Sequence, residues 1–169
     1  MSTLRTRVRQ VLNSRGHTAF LGAALVVGFL VGLAVVLLVI LVEGASRAAE
    51  WVQDQVGSTE LAFFITVPVA LFIAWAIAQR FSKNVESGGV TETISAVGLR
   101  GGYLSTRTIF PKITSTAATL GGGGSGGREG PIVMIGAAIG SSLSRYTRFS
   151  EDRIRSLVAA GAGAGIGAT

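Results

Sequence analysis

The sequence predicts an all-α polytopic membrane protein. Its first helices cross the bilayer, and its later helices are tilted, broken and partly re-entrant. Three observations carry this reading. Charged residues make up 14% of the 169 and hydrophobic residues 49%, whereas soluble domains carry about 25% charge. Two long runs, 19–42 and 61–79, contain no charge. Three further uncharged runs, 113–127, 130–144 and 156–169, are too short for a straight crossing of about 20 residues and are interrupted by Gly and Ser. Short, broken apolar segments are the sequence mark of discontinuous helices that end inside the membrane around an ion.

The elements follow in order. Residues 1–18 carry Arg5, Arg7, Arg9 and Arg15 and no acid, with Leu4, Val8, Val11 and Leu12 at helical spacing. This segment reads as an amphipathic helix on the cytoplasmic surface; the alternative is a disordered basic leader. Run 19–42, at 1.5 Å per residue, is about 36 Å long, enough to cross. It is also too long for the apolar core of a cleaved signal peptide. Ala45, Ala48, Ala49 and Val52 continue a helical stripe beyond it.

Residues 43–60 hold Glu43, Glu50, Asp54 and Glu60 against Arg47, which marks an outside loop. Run 61–79 returns the chain to the inside, with a kink expected at Pro68. Arg80, Lys83, Arg100, Arg107 and Lys112 then outnumber Glu86 and Glu92 on that side. Gly28-xxx-Gly32, Gly136-xxx-Gly140 and Gly161-xxx-Gly165 suggest close helix contacts.

Composition also excludes function classes. The chain has no cysteine, so disulfides, thiolate zinc sites and cysteine nucleophiles are ruled out. There is no nucleophile elbow, His-Glu-x-x-His or metal-ligand cluster. An enzyme is not expected, nor is a cofactor or metal. The net charge is +6, but the positive residues lie outside the apolar runs, which reads as topology rather than nucleic-acid binding.

The most informative stretch is Gly127-Arg128-Glu129-Gly130-Pro131, after a glycine-rich run from Gly121 and before the apolar run Ile132–Gly140. An ionisable pair at membrane depth is by default a functional site. Pro131 suits the first turn of a helix. A helix amino end carries free N–H donors and partial positive charge, so it attracts anions. Glu129 would place its own carboxylate at that site. The bland reading is a carboxylate that stabilises the helix end. A phosphate-binding loop fails, because Arg128 and Glu129 replace the Lys and Ser/Thr that it requires.

These residues, Gly127-Arg128-Glu129-Gly130-Pro131 with Ile132-Val133-Met134-Ile135-Gly136, resemble the G-[KR]-E-G-P-x-V-x-I-G signature of the CLC family of chloride channels and chloride/proton antiporters. Pro111-Lys112 and the small-residue stretch 159–168 are similar to that family too. The resemblance covers about residues 19–169. It implies a fold of two inverted repeats, of which this chain holds most of the first. The roles of a gate and proton acceptor then fall on Glu129. The family motif G-S-G-I-P-E corresponds to Ser87-Gly88-Gly89-Val90-Thr91-Glu92, with Gly88 in place of the serine and Thr91 in place of the proline. Backbone N–H groups of Gly88, Gly89 and Val90 would line the anion site, and a one-residue slip would bring in Ser87. Gly130 joins them. Arg128 and Lys112 either add positive field or are plain helix-end cations.

The resemblance further implies chloride or another small anion as substrate, protons as co-substrate and a homodimer in the full-length protein. It places the chain in the lipid bilayer of a prokaryotic cell membrane. Channel and antiporter both stay open. Family members continue well past the position of Thr169, so an N-terminal fragment is expected, inactive by itself. The alternative is a non-transporting membrane scaffold. Residues 1–18 form one unit and 19–169 the other.

Overall fold

In the computed structural model the described residues are 2–56, 59–81, 89–147 and 149–169, with side chains from His17 onward and excepting Thr59. They form six α-helices: α1 (Ser2–Val56), α2 (Thr59–Phe81), α3 (Val90–Leu99), α4 (Ile109–Gly121), α5 (Glu129–Tyr146) and α6 (Glu151–Gly167), with a 3₁₀ turn at Thr106–Thr108 before α4.

Helix α1 is apolar on all sides over its middle, yet it buries one stripe. Ala23, Val27, Val31, Val35 and Leu38 recur every three or four residues and are shut away, while Leu25, Phe29, Leu33 and Ile40 are exposed. That spacing keeps one face toward the protein. A helix apolar all round suits lipid, where exposed leucine carries no penalty and close packing drives association. The stretch His17–Val56 is long and apolar enough to cross a membrane, as is Glu60–Phe81. The amphipathic reading of residues 1–18 falls mostly on side chains outside the described residues.

The helical stripe expected beyond residue 42 is found, and it leaves little of a loop over 43–60: α1 stays helical to Val56, and α2 begins at Thr59. The physical reason is the small-residue stripe Ala45, Ala48, Ala49 and Val52. It lines an apolar cavity of about 380 Å³ that it shares with Ile65, Val69 and Ile73 of α2 and Ala118 of α4. Pro68 lies inside α2.

The glycine-rich run seats the carboxyl end of α4 between α1 and α2. A Cβ on Gly121 would strike the Ala45 side chain and the Val42 carbonyl oxygen, and one on Gly122 would strike the Ala70 methyl. Gly123 then turns the chain at φ +88°. These glycines serve backbone approach, which explains their density without a phosphate.

Helix α5 is the hub. Ile132 through Ala138 are buried without interruption. It lies against α6 almost backbone to backbone. A Cβ on Gly140 would come within 2.6 Å of the Leu157 carbonyl oxygen, and one on Gly165 within 2.8 Å of the Ile132 side chain. Gly136 and Gly161 oppose each other. Two of the three small-residue patterns are therefore contacts. Gly28 and Gly32 are not, since nothing lies within 4 Å of a Cβ on either. They sit one residue round from the Val27–Val31 stripe that faces the protein.

One buried polar clasp ties the loop before α4 to α5. The Leu104 N–H donates to Ser141 Oγ at 2.8 Å, and the Arg145 guanidinium donates to the Leu104 carbonyl. Ser141 and Ser144 are fully enclosed, and Ser144 Oγ donates to the Ser141 carbonyl at 2.6 Å.

Candidate anion site where two helix amino ends meet

Helix α3 starts at Val90 with Gly89 as its cap residue. Gly89 has φ +151° and ψ −149°, a region essentially reserved for glycine. Its carbonyl accepts the first bond of the helix, from the Thr93 N–H at 3.2 Å, and a second from Thr93 Oγ1 at 3.1 Å. The N–H groups of Gly89, Val90, Thr91 and Glu92 thus have no partner within the helix, as at any helix start.

Helix α5 starts in the same way with Arg128 as cap residue, whose carbonyl accepts from the Ile132 N–H at 3.1 Å. Pro131 has no N–H to leave orphaned, so Arg128, Glu129 and Gly130 carry the free donors of this end. The two starts converge. A Cβ on Gly89 would lie 3.9 Å from the Gly130 Cα. Two amino ends, each with its share of partial positive charge, therefore meet at the Gly89–Gly130 contact. At Gly89 it is the backbone conformation that calls for glycine, since a Cβ there would make only an ordinary contact and one on Gly130 would meet nothing within 4 Å.

Glu129 is the first residue of α5 and is exposed. Its side chain folds back over the preceding loop, with its Cδ 3.7 Å from where a Cβ on Gly127 would be. The carboxylate thus lies at the amino end of its own helix, as electrostatics favours.

The structure thus brings together Gly89, Val90, Glu129 and Gly130 of the residues singled out in the sequence. Arg128 stands beside them as an exposed cap residue. Lys112 sits half-buried in the first turn of α4. Ser87 and Gly88 lie outside the described residues.

Sequence reasoning passed over Glu92 except as a register mark. Its side chain is 16% exposed, with one oxygen 3.6 Å from Arg100 Nη1, and its charge acts on Lys112. The signal available was an acid in the first turn of a short apolar helix. Among the described residues no group of three or more His, Cys, Asp or Glu is placed to hold a metal ion.

Comparison with known proteins defines the class. The sequence model of the voltage-gated chloride channel family matches residues 69–169, more than half of the chain and the whole region of the converging helix ends. The chain belongs to that family, and the membrane setting of its helices comes with it. Similar curated proteins are the H(+)/Cl(-) exchange transporters ClcA of Vibrio campbellii, 32% identical over 92% of this chain and 35% of the relative, and of Vibrio cholerae, 31% identical over 99% of this chain and 38% of the relative. That of Vibrio parahaemolyticus is 31% identical over 92% of this chain. The chain spans a little over a third of the length of these relatives.

Proposed function

We propose that the protein moves chloride across a membrane in exchange for protons, with Glu129 as gate and proton acceptor. The observation that carries this is the meeting of two helix amino ends at Gly89 and Gly130, with Glu129 the residue before Gly130 and its carboxylate folded over Gly127 at the start of the same helix. Free backbone N–H groups and partial positive charge suit a small anion. Discontinuous helices whose amino ends face an anion are a recurring transporter design.

The chemistry of the gate follows from charge. An ionised Glu129 competes with the mobile anion for the helix ends. A protonated Glu129 has no charge to hold it there and swings away, so one proton moves as the anion site opens. Exchange rather than passive conduction is favoured by the relatives, whose names describe proton/chloride exchange. In the same reading the protein is a homodimer in the cell membrane of a prokaryote with its amino end inside, because the basic residues gather before the first crossing and after the second.

The test is Glu129→Gln, which keeps the shape and removes the titration. In reconstituted vesicles the variant should pass chloride down its gradient while no longer moving protons against theirs. Chloride flux that still drives protons after this change would overturn the assignment.

A further inference from the structure

Glu92 has a role that the gate does not absorb. It lies in the first turn of α3, about 4.5 Å along the helix axis from Gly89 at 1.5 Å rise per residue. Gly89 is the residue that meets Gly130. The Glu92 side chain is largely buried, and its Oε1 lies 3.6 Å from Arg100 Nη1, longer than a hydrogen bond. Its Oε2 is cut off from solvent and has no hydrogen-bond partner among the described residues. Leaving a carboxylate oxygen buried without a donor is unfavourable, so a plain packing role is a poor account of it. Lys112 of α4 is close enough to feel this charge.

We propose that Glu92 is a fixed counter-charge of the anion site: it weakens the hold of the two helix ends on the mobile anion, and Arg100 tempers it.

This rests on the reading of the Gly89–Gly130 meeting as an anion site. The physical need is plain. An anion facing two helix amino ends is held tightly. Passage requires binding favourable enough for entry and weak enough for departure. A carboxylate within the same turn is itself stabilised by the helix end and repels the anion that arrives there. Arg100, 59% exposed and at the far end of α3, offsets part of that charge without closing the buried oxygen.

The sign of two substitutions separates this from a structural role. Chloride titration calorimetry on the purified full-length protein in detergent, with chloride efflux from vesicles, is run on the parent protein, on Glu92→Gln and on Arg100→Gln. Glu92→Gln should bind chloride roughly three- to tenfold more tightly and turn over more slowly. Arg100→Gln frees the carboxylate and should weaken binding by a similar factor. If Glu92 serves only to brace α3, both changes loosen the helix and both weaken binding. That result overturns the proposal, as does an unchanged affinity in Glu92→Gln or a Glu92→Gln protein that fails to purify as a folded species. A full-length parent protein that neither binds nor passes chloride sinks the anion-site reading itself. Chloride binding with the wrong signs sinks this proposal alone.

Discussion

Gly136 of α5 and Gly161 of α6 face each other backbone to backbone, and a Cβ built on either would fall on the carbonyl oxygen of the other. The contact has no flexible side chain that could yield. Gly136→Ala should therefore cost about 1–3 kcal/mol or block assembly, as overpacking does. Gly28→Ala meets nothing within 4 Å and should be neutral or gain up to about 1 kcal/mol from helix propensity. Thermal unfolding of the two variants in detergent compares them directly. Equal behaviour would mean that α5 and α6 do not meet at this pair.

The Leu104 peptide is held at both ends, by Ser141 Oγ on its N–H and by Arg145 on its carbonyl. Ser141→Ala leaves the N–H buried without a partner, a change of about 1–3 kcal/mol. Hydrogen exchange at the Leu104 amide should speed up in the variant, while the α5 interior stays protected. Unaltered exchange at Leu104 would show the clasp to be incidental.

Gly89 holds a backbone conformation that L residues rarely adopt. Gly89→Ala should shift the start of α3 or add about 1–3 kcal/mol of strain. Because Gly89 lies beside Gly130 at the start of α3, a shift there should lower chloride affinity. Calorimetric titration checks this, and an affinity equal to the parent's would detach Gly89 from the ion.

Gly88 takes the place of a serine in the motif that this chain resembles, so a hydroxyl donor is missing from the proposed site. Gly88→Ser should favour chloride over nitrate by about 1 kcal/mol, the worth of one neutral hydrogen bond. Titration with both anions on both proteins measures the ratio. A constant ratio would place residue 88 away from the ion.

The parts legible in the sequence were those set by local pattern. Runs 19–42 and 61–79 announce crossings by length, and the described helices contain them. The glycine-interrupted runs announce short helices, found as α4, α5 and α6. What stayed hidden depends on residues distant in sequence. Gly28-xxx-Gly32 and Gly136-xxx-Gly140 look alike locally, yet the second alone has a partner helix within reach. The meeting of Gly89 with Gly130 joins residues of separate helices that no periodicity links. Glu92 was overlooked because burial of its oxygen and proximity to Arg100 are properties of the fold. The stripe Ala45–Val52 was visible as a continuation of the first helix, while its acidic neighbours marked the same stretch as an outside loop. In the structure Glu43, Glu50 and Asp54 lie on α1 with the stripe, Glu43 pairing to Arg47 at 3.8 Å, and Glu60 opens α2.

The contrast between α1 and α5 bears on how freely each can drift. Along the middle of α1 one narrow stripe packs inward, and the faces carrying Leu25, Phe29 and Leu33 are open; against lipid tails such faces accept Leu, Ile, Val or Phe alike. Many spellings of that helix are equivalent. In α5 every residue from Ile132 to Ala138 is enclosed, and Gly136 admits no enlargement. Genetic variation in this protein should therefore be silent over most of the first crossing and concentrated in its consequences within a single helix of eighteen residues.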